Sequence, residues 1–298
     1  MFLKLNILKT KMKTLIIDGN NLVHRTWWTA KNQAKRSEDV NISNLHIYFT
    51  LNAIFSYVNK YKPTSTIVVW DEKPEYQVNA RKVEYEGYKG NRSKDSSPHD
   101  NNDAIKLMLS YLGLPSIFPR ELEADDIVAY ICKTRAGSKI IASVDRDFLQ
   151  LVSDDIILFD PIRKIEFTRD AFEEMTGYAH DDWLVAKCLQ GDSSDNVPGV
   201  KGFGKVTIQK YLNGDVTLTE EQQALYNKNL SLFSLDKVFK DHPGELVYYE
   251  NQLVVKVEPS WSLFLEECKT RDFSRILNNE QTWYSLFFAG PKLQSLLG

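Results

Sequence analysis

Nine carboxylates stand where apolar runs stop or start. Asp18 closes "TLIID", Asp71 closes "TIVVWD", and Asp145 and Asp147 close "SKIIASVDRD". Glu123, Asp125 and Asp126 open the helical pattern "ELEADDIVAYICKT", and Asp192 and Asp195 stand in the turn "GDSSDN". Taken singly, each group reads as well as a turn residue or a helix cap. Taken together they call for a cation, because carboxylates gathered at one point repel one another and resist ionisation. Oxygen-only donors suit a hard divalent ion, Mg2+ or Mn2+. Such a cluster suits phosphodiester hydrolysis, in which one ion lowers the pKa of water and a second, about 4 Å away, stabilises the leaving oxygen.

The elements that must position these acids alternate. The apolar runs ending at Asp18, at Asp71, near "PSIFP", at Asp147 and at "DIILFD" have strand length. Between them, helical spacing covers residues 44 to 60, Asn102 to Leu112, the run after Glu123 and the short "FLQLV". Helices are also expected over Thr168 to Met175 and Asp181 to Gln190. Strands alternating with helices imply an α/β fold with a mostly parallel sheet covered on both faces. In such sheets functional groups gather beyond the carboxyl ends of the strands, where these acids lie. From about residue 190 the pattern turns mainly helical, which predicts a second, helical domain.

Two cationic segments flank the acids. "RKVEYEGYKGNRSK" holds Arg81, Lys82, Lys89, Arg92 and Lys94 against Glu84 and Glu86, with Tyr85 and Tyr88 interleaved. Cations bind phosphate and tyrosine rings stack on unpaired bases, so this polar excursion, about 76–99, reads as a segment that grips substrate. In "VPGVKGFGKVTIQKYL", Gly199, Gly202 and Gly204 permit tight turns, and backbone N–H groups at the following helix start can meet a phosphate. Lys201, Lys205 and Lys210 favour DNA-backbone contact there over a plain helix connector.

The whole chain sets wider bounds. Its 298 residues, 43% hydrophobic and 26% charged, are ordinary globular composition. No apolar run reaches the roughly 18–20 residues of a spanning helix. Residues 1–13 read as an extension, with Met12 an alternative start. Three scattered cysteines fit neither a disulfide framework nor a zinc site and suit a reducing cytoplasm. The net charge of −3 does not announce a nucleic-acid binder, so the local distribution has to carry that reading. A phosphatase of the haloacid-dehalogenase type is disfavoured, because Asn20 stands where its second aspartate belongs.

"IIDGNN", "YKGNR", "EADD", "SVDRDFLQL" and "GDSSDNVPGVKGFG" occur in the order found in the 5′-nuclease family, and over about Leu15 to Leu212 the chain resembles it. That family includes phage 5′-3′ exonucleases and flap endonucleases, phage ribonuclease H of the T-even type, and the 5′-nuclease domain of bacterial DNA polymerase I. The resemblance implies a PIN-like nuclease domain over 14–190 with a helical arch at about 76–99. It further implies a helical DNA-binding domain over 191–298 with a helix-hairpin-helix-type motif at about 196–212. It implies a two-ion site built by the nine acids, with Mg2+ replaceable by Mn2+. Lys89 and Arg92 would contact the scissile phosphate, Tyr88 would stack on substrate, and Val200 and Phe203 would offer carbonyls to K+. Implied substrates are DNA with 5′ flaps or nicks and RNA-DNA hybrids, as in primer removal during phage replication in the host cytoplasm. A single-strand-binding protein or a sliding clamp would be partners, and a monomer is the default state. The alternative is a non-catalytic DNA-structure binding protein of the same fold. Three places depart from the pattern: Ile208 stands where the hairpin usually has a small residue, the arch segment is short, and beyond about residue 215 the family is not carried over residue by residue. "QTWYSLFF" loosely resembles a clamp-binding peptide but has Tyr284 in place of its aliphatic anchor and suits a buried terminal helix better.

Overall fold

The computed structural model describes residues 12–36, 41–71, 79–91, 97–235, 243–254 and 258–289. The apolar runs become strands β1 (Lys13–Asp18), β2 (Ser65–Val69), β3 (Ser116–Ile117), β4 (Ser138–Ala142) and β5 (Ile156–Asp160). They line up in the order β3-β2-β1-β4-β5, all parallel. A sixth strand, β6 (Ile165–Phe167), joins antiparallel to β5. Three residues are too few to show a period, so β6 was not foreseen from the sequence.

Alternation along the strands sorts the core into two faces. Leu15, Ile17, Val68, Ile140 and Phe159 point to one face, and Ile16, Ile67, Val69, Ile141 and Leu158 to the other. The first face is covered by α2 (Ile42–Tyr61) and α4 (Asn102–Tyr111), with α1 (Gly19–Ala34) contributing Leu22 and Val23. The second is covered by α5 (Ala124–Thr134), the short 3-10 turn Arg146–Leu151 and α6 (Phe172–Thr176). A strand buried on both faces must be apolar throughout, which is why "LII" and "IIA" carry no alternation of polarity.

Beyond α6, α7 (Trp183–Gln190), α8 (Lys205–Leu212) and α9 (Glu220–Phe233) form a smaller apolar cluster, and α10 (Pro243–Val254) places Tyr249 on the second face. The last helices return to the sheet. Phe264 and Cys268 of α11 (Trp261–Thr270), Ile276 of α12 (Ser274–Leu277) and Trp283 of α13 (Glu280–Phe287) belong to the first face's core. The expected 191–298 unit therefore contains helices that complete the core of the preceding one. Trp283 stacks on Phe55 with ring centroids 4.5 Å apart and is 4% exposed, so "QTWYSLFF" is a docked helix with its aromatic anchor buried.

The glycine-rich connection between α7 and α8 is tightly built at its start. A Cβ on Gly199 would lie 2.1 Å from Gln190 O, so α7's last carbonyl leaves room only for glycine there. At Gly204 a Cβ would meet nothing within 4 Å. Gly199→Ala is accordingly expected to destabilise the protein by about 1–3 kcal/mol through overpacking, and Gly204→Ala to be near neutral. Chemical denaturation of the two variants checks this, and equal midpoints would refute it. Ile208, the departure from the hairpin pattern, is fully buried in a cluster with Leu189, Val200 and Phe203, so the large side chain serves as the core of this element.

Candidate active site

The sheet changes direction of winding between β1 and β4, and a crevice opens beyond their carboxyl ends. Asp18 closes β1 and caps α1. Its Oδ1 accepts Asn21 N at 3.0 Å and its Oδ2 accepts Ser143 Oγ at 2.7 Å, the serine following β4. Asp145 N donates to the same Ser143 Oγ at 3.0 Å, and Asp145 Oδ1 accepts Asp147 N at 2.8 Å. Asp71 lies two residues past the end of β2, where its Oδ1 accepts Ala124 N at 2.8 Å and its own N donates to Asn20 Oδ1 at 3.2 Å. Asp18, Asp71, Asp125 and Asp145 share one electrostatic neighbourhood: Asp145 and Asp71 disfavour the charge on both Asp18 and Asp125.

Cations hold the other acids. Lys187 of α7 contacts the Asp147 carboxylate and donates to Asp192 Oδ2 at 3.0 Å. Sequence reading missed this lysine, whose only signal is a lone cation a turn and a half before an acidic loop. Burial alone would lower the Lys187 pKa, yet the two carboxylates raise it above the ordinary lysine value. Asp192 is lowered in turn, burial being outweighed by Lys187 and Ser194.

Glu123 accepts from four groups: Asn79 Nδ2 at 2.8 Å, Lys89 Nζ at 2.6 Å, Arg81 Nη1 at 3.1 Å and Tyr88 Oη at 3.0 Å. Burial would raise its pKa, but Lys89 and Arg81 bring it down to about 2.

Three expectations from the sequence are corrected here. Arg81 does not line an exposed cationic track. It is 4% exposed and grips Asp126 with both terminal guanidinium nitrogens, at 2.6 and 2.7 Å, while its Nε donates to Leu232 O at 2.8 Å. Asp126 does not face the crevice, since it is fully buried, paired with Arg81 and closing α5's cap by accepting Glu123 N at 2.9 Å. Tyr88 is buried against Glu123, with no ring face open for stacking. A buried carboxylate needs a buried cation, and the fork of Arg81 satisfies Asp126 better than water could.

Among the described residues, no three His, Cys, Asp or Glu side chains close into a ready-made metal cage. Lys187, Lys89 and Arg81 pair with Asp147, Asp192, Glu123 and Asp126, although Asp147 still feels Asp145 and Asp195. Asp18, Asp71, Asp125 and Asp145 act on one another, with Lys89 easing the repulsion at Asp125, and an oxygen-only set of that kind can hold a hard divalent ion.

Two motifs far apart in sequence meet beside the acids. Lys89 N donates to Asp195 O at 2.8 Å, Asn91 Nδ2 to Ser193 O at 2.8 Å, and Asn196 Nδ2 to Gly87 O at 2.8 Å. Thus "YKGN", which follows α3 (Ala80–Glu84), is seated on "GDSSDN". Asp195 itself is 5% exposed. Lys82, Lys201, Gly202, Gly204 and Lys205 are exposed, whereas Arg92 and Lys94 lie outside the described residues. Val200 O already accepts Phe203 N at 3.0 Å.

The crevice acids give a test by pH. Burial, with Asp145 and Asp71 adding repulsion, raises Asp18 to about 7, and burial with Asp145 raises Asp147 to about 6 despite Lys187. Burial and Asp145 also hold Asp125 well above the carboxylate range. A carboxyl raised above its unfolded value of 3.8 favours the folded state below that value, and the contribution is lost as pH rises through the folded pKa. Glu123 acts oppositely, adding stability above its unfolded value that is lost as pH falls towards about 2. Metal-free protein should therefore lose stability as pH rises from about 4 to about 7, and Asp18→Asn should flatten that slope. Thermal unfolding in EDTA across this window measures it, and a parallel slope in the variant would contradict the assignment.

The family described as 5′-3′ exonuclease, N-terminal resolvase-like domain, matches residues 13–177. The chain belongs to the 5′-3′ exonuclease family. A 5′-3′ exonuclease of Aquifex aeolicus is 32% identical over 209 residues, covering 67% of this chain and 70% of that protein. DNA polymerase I of Caldicellulosiruptor bescii is 28% identical over 279 residues, 89% of this chain, which spans 31% of the polymerase's length. Among solved structures, the flap endonuclease of bacteriophage T5, in a complex with DNA and metal ions, superposes with a TM-score of 0.61 at 20% identity, over 81% of this chain and 98% of that one. Flap endonuclease-1 of Methanococcus jannaschii gives 0.60 at 15% identity over 95% of each chain. Those two likenesses establish the fold: a PIN-like nuclease architecture with a mostly parallel sheet and a helical carboxyl-terminal region.

Proposed function

We propose that this member of the family is a divalent-metal-dependent, structure-specific 5′ nuclease that cuts 5′ flaps and removes RNA primers or DNA from a 5′ end. The observation that carries the reading is the crevice at the β1/β4 switch point, where Asp145 and Asp71 act on both Asp18 and Asp125 and burial raises the charge cost of each, Lys89 easing it at Asp125. The raised Asp18 and Asp125 fit a site short of positive charge, and the oxygen-only donors suit Mg2+, with Mn2+ as a substitute. Bound ions would supply that charge and acidify a water for in-line attack on phosphorus.

The chain's own residues do the rest. Ser143 orients Asp18 and anchors the Asp145 backbone, while Asn20 fixes the Asp71 backbone. Lys187 holds Asp147 and Asp192 together at the rim. Lys89, already beside Glu123, is placed to share its ammonium with an incoming phosphate, and Arg92 is assigned the same role. Lys82, Lys201 and Lys205, with the open loop at Gly202 and Gly204, suit contacts to duplex backbone in the manner of a helix-hairpin-helix. Val200 O and Phe203 O are retained as ligands for K+, the first with one lone pair already engaged. We propose 14–190 as the nuclease unit and 191–298 as the segment that grips DNA through α8 and its glycine loop, its last helices α11 to α13 completing the nuclease core.

Cleavage of a 5′-labelled flap duplex and of an RNA-primed duplex, each with Mg2+ or with EDTA, tests the proposal. Metal-dependent cutting near the junction is the expected result. Tight flap binding with no cutting under any divalent ion would leave only a DNA-structure binding protein.

A further inference from the structure

Helix α1 starts at Asp18 and runs away from the acids. Over residues 19–36 it carries no Asp or Glu, while Arg25, Lys31, Lys35 and Arg36 make it strongly cationic in a chain of net charge −3. Such a local excess marks a surface for a polyanion. Arg25 turns aside, donating to Tyr57 Oη at 2.7 Å. The other groups form a stripe: Asn21, His24, Trp28, Lys31 and Lys35 recur at three- and four-residue spacing, hence on one helix face. His24, Trp28 and Lys35 are exposed and Asn21 and Lys31 half-buried. At about 1.5 Å per residue the stripe extends roughly 20 Å from the crevice.

Its centre is an aromatic group held ready by its neighbours. Trp28 Nε1 donates to His24 Nε2 at 3.3 Å, the two rings meet edge-on with centroids 6.2 Å apart, and Lys31 Nζ sits 4.8 Å from the indole centroid. Trp28 is nonetheless 41% exposed. A protein interface would need a contiguous apolar core, which a lone indole beside a histidine and a lysine does not provide. A duplex offers no free base face along its length, whereas an unpaired strand offers both a base to stack and phosphates to neutralise.

We infer that this face of α1 is a track for an unpaired nucleic-acid strand, with Trp28 stacking on a base and Lys31 and Lys35 neutralising phosphates. The inference rests on the nuclease reading and extends it to a surface outside the acids. It is tested by binding in EDTA, where no turnover is needed, using a fluorescent duplex with and without an unpaired arm. Trp28→Ala should weaken binding of the armed duplex about tenfold, leave the plain duplex little changed, and be largely rescued by Trp28→Tyr. Lys31→Ala with Lys35→Ala should reduce the slope of log K against log salt by about 1.4, roughly 0.7 for each phosphate of a single strand. Equal weakening on armed and plain duplexes, or no weakening on either, would overturn the track. Failure of the parent chain to cut any flap would instead count against the nuclease reading, and the binding comparison would still decide the track.

Discussion

Replacing Asp145 and Asp147 together by asparagine should slow metal-dependent cutting of a 5′ flap by at least about a thousandfold, equivalent to roughly 4 kcal/mol of barrier. The variant should do so without losing folded stability. Asp145 Oδ1 serves the local fold by accepting Asp147 N, and an asparagine amide oxygen can accept the same bond. Asp147 is raised to about 6 by burial and by Asp145, so its charge opposes folding at neutral pH and its removal relieves repulsion. Lys187 keeps Asp192 as a partner at 3.0 Å. What disappears is the negative charge that a bound divalent ion requires. Single-turnover cleavage gives the rate, and thermal unfolding in EDTA at mildly alkaline pH gives the stability. A variant that cuts within about tenfold of the parent would remove these acids from the site. A variant that has unfolded would mean that their role is structural.

Arg81→Met should cost roughly 3–5 kcal/mol of stability, because it strands the buried carboxylate of Asp126. For a chain of this size that corresponds to a fall in the unfolding midpoint on the order of 10 °C. Three elements lose a tie at once: α3, which carries Arg81, the cap of α5, and the end of α9 through Leu232 O. Arg81→Lys should recover only part of the loss, since a point charge cannot reproduce the two-pronged contact. The double variant Arg81→Met, Asp126→Leu should be more stable than Arg81→Met alone, because a buried ion pair replaced by apolar side chains is often close to neutral. A double-mutant cycle by denaturant unfolding measures the coupling. If the single and double variants unfold at the same midpoint, the cost does not come from the stranded charge.

Local pattern carried much of this protein. The double-faced strands, the acids at the ends of β1 and β4 and past β2, the helix opened by "EADD" and the ordered family motifs are all legible along the chain, because strand length, turn residues and apolar period are properties of neighbouring residues. The direction each charged side chain takes is another matter. Arg81, read as a phosphate contact, meets Asp126 from 45 residues away, and Lys187 reaches Asp147 from 40 residues away. Tyr88 turns inward to Glu123, and α11 to α13 close over α2, where Asn44 Nδ2 donates to Arg271 O across 227 residues. A cation spaced for an exposed track and one spaced for a buried pair look alike in sequence. Desolvation distinguishes them, since a carboxylate that the chain buries must be matched by whichever cation the tertiary packing brings to it. The sequence by itself determined the family, the sheet and the presence of the acids. Only the tertiary structure decided which acids pair directly with the protein's own cations and which act on one another.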